Sequence, residues 1–321
     1  MRVLPSLTTE RPLHSLAALI LALACSTGCF AQERTVAITV DDLPYASGDS
    51  VTDGGQARAA NGAMLAAFRR HHVPVTGFVI QNRVDALGPD GPRILGQWIR
   101  SGFDLANHTY SHPDINTLAV EQIEEEIVKG ERAIAPLMNG AGKKLGFFRF
   151  PMNHTGDTRE KHDVLAAFLK QRGYRLATCT IDNSDYLYNA AYVRILAKAD
   201  HATAKKLREE YVAYTATEID YYAGLNKQAL GYEPPHVMLL HVNRLNADTI
   251  EAVLKLFTER HYRFVSLAAA QSDPAYQIPE THFTKFGPMW GYRWAWARGV
   301  KVDGSLEKEP SKWVADYPRT R

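Results

Sequence analysis

Short β-type segments recur along this chain of 321 residues, and helical segments separate most of them. The β-type segments are Val36–Val40, Val75–Ile80, Phe103–Ala106, Phe147–Phe150, Arg175–Ile181, His236–Leu240 and Phe264–Leu267. The helical segments place apolar residues on one face, as in the series Ile250, Val253, Leu254 and Phe257. Strands that alternate with helices predict a parallel sheet, and seven or eight such units predict an α/β barrel.

The composition restricts the class of protein. Hydrophobic residues make up 45% of the chain and charged residues 22%, which is typical of a globular protein and excludes a polytopic membrane protein. There are 37 Lys and Arg residues against 35 Asp and Glu residues, and no basic run. This balance excludes an electrostatic nucleic-acid binder, so the function must reside in a site.

The first 31 residues have the features of a secretory signal. Arg2 and Arg11 precede an apolar stretch at 16–24 that is too short to span a bilayer. Cys29-Phe30-Ala31 fits the small-x-small pattern of a cleavage site. We therefore expect an exported protein, periplasmic or secreted, without a transmembrane span in the mature chain. Lipidation of Cys29 is a less favoured alternative, because no leucine stands in the three residues before it.

Polar side chains follow or end five of the β-type segments. They are Asp41 and Asp42 at the first, His108 and His112 at the third, Arg149 at the fourth, Asp182 and Asp185 at the fifth, and His241 and Asn243 at the sixth. In a barrel, the carboxyl ends of the strands meet at one mouth, where active sites are built. We therefore expect these side chains to lie close together.

Each of these features alone has a plainer explanation. Adjacent aspartates often form a turn or a helix cap, two histidines four residues apart are often simply exposed, and His241 alone resembles a core histidine. Together they favour a metal hydrolase. Two neutral imidazoles and a carboxylate make a divalent-metal site with an open position, while a second carboxylate and a third histidine serve as base and acid.

The order of the motifs carries a family resemblance. The motifs are Thr39-Val40-Asp41-Asp42, His108-Thr109-Tyr110-Ser111-His112-Pro113, Arg149-Phe150-Pro151, Asp182-Asn183-Ser184-Asp185-Tyr186 and Leu239-Leu240-His241. Over residues 35–267 the chain resembles the polysaccharide deacetylases of carbohydrate esterase family 4. The resemblance implies a distorted (β/α) barrel with seven or eight strands. It also implies a metal-dependent hydrolase that removes acetyl groups, from an N-acetyl amide or an O-acetyl ester, of an exported or envelope carbohydrate.

The resemblance also implies roles for individual residues. Asp41 would be the general base, and Asp42, His108 and His112 would hold the metal, which is usually Zn²⁺, with Co²⁺ or Ni²⁺ as alternatives. His241 would be the general acid.

Three further side chains and one backbone group complete the set that the resemblance implies. Arg149 would orient Asp41, and Asp185 would hold the ring of His241. Leu239 would line the pocket for the acetyl methyl group, and the backbone N–H of Met152 would help to hold the oxyanion.

The chain departs from the family pattern around the substrate cleft. Leu43 stands where the family has Gly, Met152 and Asn153 replace an aromatic residue and Gly, and Tyr186 replaces Trp. These changes leave the metal set intact and concern the substrate. Met152, Asn153, His154, Tyr186 and Leu239 are the predicted substrate contacts, although polar loop residues such as Asn153 also bond to backbone or water.

Two segments lie outside the repeating pattern. A tyrosine-rich helical insertion between Tyr186 and Pro235 separates strands 5 and 6 of the predicted barrel, which occupies residues 32–270. Residues 271–321 form an extension with four aromatic residues close together at 290–296, which we expect to pack on the barrel. The aromatic side chains either stack on sugar rings or pack these segments onto the barrel.

Two other functions compete with deacetylation of a glycan. The same fold could hydrolyse C–N bonds of small amides that are not sugars, because the changes near Met152 affect the substrate cleft. A glycan-binding protein without catalysis is less favoured, because the chain retains the whole predicted set of metal ligands, acid and base.

Overall fold

The computed structural model describes Met1 and residues 33–46 and 53–317 of the chain. The described part contains seven strands: β1 (Thr35–Leu43), β2 (Val75–Val79), β3 (Asp104–Asn107), β4 (Phe147–Phe148), β5 (Arg175–Leu176), β6 (His236–His241) and β7 (Arg263–Phe264). Each overlaps a predicted segment. The proposed secretory signal, including Cys29, lies outside the described residues, so the prediction of export stays a prediction.

The strands form one parallel sheet in the order β5-β4-β3-β2-β1-β6, and β7 pairs with the start of β1. A parallel bridge between Ile181 and Met238 connects the chain that follows β5 to β6. The sheet therefore curves back on itself as a distorted α/β barrel, which confirms the predicted fold class. The barrel is distorted because β4 and β5 are only two residues long.

Strand β1 is the centre of the sheet, and all nine of its residues are buried. The sequence prediction ended this strand at Val40 and placed Asp41 and Asp42 after it, which is wrong. The strand continues through both aspartates to Leu43, with an irregular register between Val40 and Leu43. Such an irregularity redirects side chains without ending the strand. On its other side, β1 keeps a continuous register with β6, in which Asp41 pairs with His241.

Helices surround the sheet in the described residues. They are α1 (Gly54–Arg70), α2 (Gln81–Ala86), α3 (Asp90–Arg100), α4 (Val120–Gly130), α5 (Ile134–Gly140), α6 (Arg159–Gln171), α7 (Asp185–Ala197), α8 (His201–Leu230), α9 (Arg244–Glu259), α10 (Leu267–Ala270), α11 (Trp290–Ala297) and α12 (Lys312–Asp316). Short 3-10 helices occur at Ile115–Thr117, Pro151–Asn153, Pro274–Gln277 and Gly304–Leu306. Among these described helices, none is long and apolar enough to cross a membrane.

Helix α9 shows how the local sequence fixes an element next to the site. The side chain of Asn243 caps its first turn by accepting a hydrogen bond from the N–H of Asn246 at 2.8 Å. The predicted apolar face is buried, including Val253 and Phe257. Asn243 therefore caps helix α9, which explains a polar residue after β6 without a role in the site.

The tyrosine-rich insertion forms α7 and α8, and its aromatic side chains mostly pack. Tyr188, Tyr192, Tyr211 and Tyr222 are buried, as is Trp294 of the C-terminal segment. Helix α11 lies against α8, and the N–H of Trp290 donates to the carbonyl of Cys179 at 2.9 Å. Tyr186 and Trp296 are the exceptions, with 56% and 38% of their surface exposed, so they alone among these residues could stack on a ligand.

Candidate active site

Three side chains at the barrel mouth form a cluster with the character of a metal site. Asp42, His108 and His112 each place a ligand atom within 4.8 Å of the others. The Oδ1 atom of Asp42 lies 3.8 Å from Nε2 of His108 and 3.6 Å from Nε2 of His112. This oxygen is buried and has no hydrogen-bond partner among the described residues. Two imidazole nitrogens and an unpaired carboxylate oxygen fit the donor set of a catalytic zinc site.

The two histidines are held in the form that binds a metal. Nδ1 of His108 hydrogen bonds to the carbonyl of Arg149 at 2.8 Å, so Nδ1 carries the proton and Nε2 is free. Burial lowers the pKa of His108 and of His112 to about 4. Both imidazoles are therefore neutral at neutral pH. The loop also folds to bring them together, because the Oγ1 of Thr109 accepts a hydrogen bond from the N–H of His112.

Asp42 is ionised and held from its other side by Arg83, a residue that the sequence analysis missed. Nη1 of Arg83, on helix α2, lies 3.0 Å from Oδ2 of Asp42. Burial by itself raises the pKa of Asp42, but the charges of Arg83 and His241 lower it well below its usual range. No local pattern marks Arg83 in the sequence, because its partner is about forty residues away and on another element.

Asp41 is buried beside this cluster and is oriented by Arg149. Nη1 of Arg149 donates to Oδ1 of Asp41 at 2.6 Å and to Oγ1 of Thr39 at 3.0 Å. The other carboxylate oxygen, Oδ2, lies 3.7 Å from Nε2 of His108. Burial raises the pKa of Asp41, and the charge of Arg149 offsets part of that effect. Such a carboxylate is a stronger base than an exposed aspartate.

His241 and Asp185 form a second pair at the same mouth. Nδ1 of His241 bonds to Oδ1 of Asp185 at 2.6 Å, and Oδ2 accepts the N–H of His241 at 2.8 Å. The Nδ2 group of Asn246 also donates to Asp185. Burial by itself lowers the pKa of His241, but Asp185 raises it to about 10. His241 is therefore protonated at neutral pH, with Nε2 as the nitrogen left to act on a ligand.

These groups share one cavity of about 510 Å³. It is lined by Asp41, Asp42, His108, His112, Met152, Asn153, Asp182, Tyr186, Leu239, His241, Gly287 and Met289. Four of the five predicted substrate contacts are among them. His154 is not, because the chain turns at Met152 and Asn153 through left-handed backbone conformations, with φ of 56° and 53°. His154 instead bonds to Asp114 at 2.9 Å.

Three further lining residues were given no role from the sequence. Asp182 was predicted to lie at the mouth because it follows the fifth β-type segment, and it does line the cavity. It accepts the N–H groups of Asn183 and Ser184, and burial, with the nearby Asp185, raises its pKa to about 6. Gly287 and Met289 belong to the C-terminal segment, and their sequence carries no signal for this location.

Comparison with known proteins agrees with this geometry. Residues 31–177, which contain the double aspartate, both clustered histidines and Arg149, match the family described as polysaccharide deacetylase. Over these residues the chain is similar to the polysaccharide deacetylase family.

Among curated members of this deacetylase family, two chitooligosaccharide deacetylases are similar to part of the chain. That of Sinorhizobium fredii is 32% identical over 71 residues, which are 22% of this chain and 31% of the relative. That of Rhizobium leguminosarum bv. trifolii is 34% identical over 102 residues, which are 32% of this chain and 40% of the relative. The chain thus spans well under half the length of these relatives.

Solved structures of the family share the fold. The polysaccharide deacetylase Bc1974 from Bacillus cereus superposes with a TM-score of 0.51 at 18% identity, covering 73% of this chain and 92% of that one. A pseudoenzyme of the same carbohydrate esterase family, from Bacillus anthracis, also gives 0.51 at 15% identity, covering 74% and 66%. Because a deacetylase and a pseudoenzyme fit equally well, the fold alone does not decide whether this chain is active. The side chains of the site must carry that argument.

Proposed function

We propose that this protein is a metal-dependent hydrolase that removes acetyl groups from a carbohydrate, as an N-acetyl amide or an O-acetyl ester. The observation that carries the proposal is the single cavity that joins the Asp42, His108 and His112 cluster to Asp41 and His241. A divalent cation at the cluster, Zn²⁺ or alternatively Co²⁺ or Ni²⁺, supplies Lewis-acid chemistry, which polarises a carbonyl and makes water acidic enough to attack near neutral pH.

In the proposed reaction, Asp41 would take the proton of the attacking water. Arg149 occupies Oδ1 of Asp41 and leaves Oδ2 on the side of the metal cluster. The raised pKa of Asp41 makes this oxygen a better proton acceptor. The water oxygen then forms a bond to the acetyl carbon, and the carbonyl oxygen takes the negative charge.

His241 would complete the proposed reaction as the general acid. Its ring is held at Nδ1 by Asp185, so the proton on Nε2 goes to the leaving nitrogen or oxygen as its bond to the acetyl carbon breaks. The products are acetate and a free amine or hydroxyl group. The N–H of Met152 would stabilise the oxyanion, and Leu239, which lines the cavity, would contact the acetyl methyl group.

Two observations favour a sugar as the substrate. The matched relatives are named as deacetylases of chitooligosaccharides, which are sugars that carry N-acetyl groups. Tyr186 lines the cavity with more than half of its surface exposed, and its ring lies 6.4 Å from that of His241. An exposed ring at this place provides an apolar face for a pyranose. The N-terminal sequence favours an exported location, so we propose a periplasmic or extracellular glycan.

Acetate release by zinc-loaded protein tests the proposal. The substrates are N-acetylglucosamine oligomers, peptidoglycan and acetylated xylan. We expect release from at least one of them, and its loss on treatment with a chelator. A protein that holds metal and releases nothing from any of the three would contradict the proposal and favour a substrate that is not an acetylated glycan. Saturable glycan binding without turnover would instead indicate a non-catalytic member.

The pH dependence of the reaction tests the pair of His241 and Asp185. Removing the negative charge in Asp185→Asn destabilises the imidazolium, so the pKa of His241 falls. His241 must be protonated to act as the general acid. We therefore expect the basic limb of the pH profile of kcat/KM to move at least ~1 pH unit toward lower pH. Initial rates of acetate release across pH measure this shift.

Asp248→Asn is the matched control, because Asp248 pairs with Arg244 at the surface of α9 and does not line the cavity. It should leave the profile unchanged. A basic limb at the same pH in Asp185→Asn and the wild type would refute the role of His241 as the acid.

A further inference from the structure

The C-terminal segment reaches into the candidate active site. Its residues 285–290 are attached at three places: the carbonyl of Lys285 accepts from Asn116 at 2.9 Å, the carbonyl of Pro288 accepts from Arg293 at 3.1 Å, and the N–H of Trp290 donates to Cys179. Between these attachments, Gly287 and Met289 line the cavity. The segment therefore forms part of the cavity wall, although it lies more than a hundred residues beyond the family match at 31–177.

This wall packs directly on the turn that contains Met152. A Cβ atom at Gly287 would lie 1.7 Å from the carbonyl oxygen of Met152. No side chain fits at that separation, so the approach of the two backbones requires glycine. The turn and the wall are thus one packed unit.

Arg293 of helix α11 hydrogen bonds to both parts of this unit, the turn and the wall. It is buried, with 4% of its surface exposed, and it forms an ion pair with Glu280. Its Nη2 donates to the carbonyl of Asn153 at 2.7 Å, and its Nε donates to the carbonyl of Pro288. Its Nη1 also donates to Oγ1 of Thr155 at 2.8 Å. One rigid guanidinium therefore ties the turn at 152–155 to the wall at 287–289.

The turn needs such support. Met152 and Asn153 both have φ in the left-handed region, at 56° and 53°, which residues with a side chain rarely adopt. Two successive conformations of this kind persist only where the surroundings enforce them. The Met152 N–H, the oxyanion donor of the proposed reaction, adjoins the first of these two angles.

We propose that Arg293 is a positioning residue for this reaction: it fixes the Met152–Asn153 turn, and through it the N–H that meets the oxyanion. The inference rests on the proposed function. Arg293 touches neither the cavity nor the reacting atoms, so it acts through the backbone that it holds. The C-terminal segment is then a part of the catalytic unit as well as a packing element.

Substitution of Arg293 by Met and by Lys tests the proposal. A misplaced oxyanion donor affects the transition state more than substrate binding, and loss of one such donor typically costs roughly 10²–10³ in kcat. We expect Arg293→Met to lower kcat by at least ~10-fold with a smaller change in KM. Arg293→Lys keeps the charge and one of the donated bonds, so it should recover part of kcat.

Arg298→Met is the matched control. Arg298 follows the same helix and donates to the carbonyl of Leu230 at 2.6 Å, and it does not line the cavity. It should lower Tm without lowering kcat. A kcat in folded Arg293→Met that matches Arg298→Met would overturn the proposal. If Arg293→Met fails to fold, Arg293→Lys and Gly287→Ala are measured in its place. A wild-type kcat in both of these folded variants would also overturn the proposal.

A structural measurement distinguishes failure of this inference from failure of the proposed function. If the wild-type protein releases no acetate from any substrate, the proposed function fails, and the positioning role is read from crystal structures of Arg293→Met and Arg293→Lys instead. We expect Met152 to leave the left-handed region in Arg293→Met and to keep it in Arg293→Lys. A turn unchanged in Arg293→Met would refute the positioning role whatever the activity.

Discussion

Replacement of Asp41 by Asn is expected to lower kcat by roughly 10²–10⁴ while the metal content stays that of the wild type. Asparagine has nearly the same shape as aspartate and still accepts the hydrogen bond from Arg149, but it cannot take a proton from water. Asp42, His108 and His112 are untouched by the change, so the ligand set remains complete. Acetate release and metal analysis of the same protein sample measure both quantities.

The metal analysis also separates two roles for Asp41. Its Oδ2 lies 3.7 Å from Nε2 of His108, close enough that Asp41 itself could be a ligand. Replacement of a general base leaves the metal bound, whereas replacement of a metal ligand lowers the metal content. Loss of metal in Asp41→Asn would therefore reassign Asp41 to the metal site. A kcat within a few fold of that of the wild type would refute the role of Asp41 as the general base.

Asp114→Asn provides the matched control for this experiment. Asp114 is a carboxylate on the loop that follows His112, and it bonds to His154 outside the cavity. Its replacement removes the same charge from the same region of the barrel. Activity close to that of the wild type is expected, which would show that the loss in Asp41→Asn does not come from a general change of charge near the site.

The fold was predictable because strand and helix signals alternate along most of residues 36–267. Each strand that the structure describes overlaps a predicted segment, and α9 buries the predicted apolar face. The end of β1 was not predictable. Two aspartates in succession favour a turn in the sequence. In the structure β1 continues through both to Leu43, which pairs with Val79 of β2, while Asp41 pairs with His241 of β6.

That the candidate metal ligands, Asp41 and His241 lie together was predictable for the same physical reason as the fold. They lie at the carboxyl ends of parallel strands, and those ends converge regardless of the conformations of the loops. His154 was predicted as a substrate contact because it follows Met152 and Asn153, which depart from the family pattern. The left-handed conformations of those two residues, neither of them glycine, could not be inferred from the sequence. Arg83 and Met289 were missed because their positions depend on contacts with distant parts of the chain, for which the local sequence gives no sign.

His112→Ala is expected to lower the affinity for Zn²⁺ by more than ~10². Replacing a residue that only hydrogen bonds to a metal ligand typically costs 10- to 100-fold in affinity, and His112 is one of three candidate direct ligands. Activity should fall with the metal content. Competition with a chromophoric chelator measures the Kd without relying on turnover. Thermal unfolding gives a second measure, since metal at about 100 times its Kd stabilises the folded protein by about 2.7 kcal/mol.

His154→Ala is the control that isolates the cluster. Its imidazole lies near the same mouth but bonds to Asp114, so it should bind Zn²⁺ with the wild-type Kd. In the wild type, Oδ1 of Asp42 is buried without a hydrogen-bond partner among the described residues, which favours the binding of a cation there. Equal Zn²⁺ affinity in His112→Ala and His154→Ala would exclude His112 from the ligand set. The same titration with Co²⁺ and Ni²⁺ identifies the preferred metal, because two imidazoles and one carboxylate accept several divalent ions.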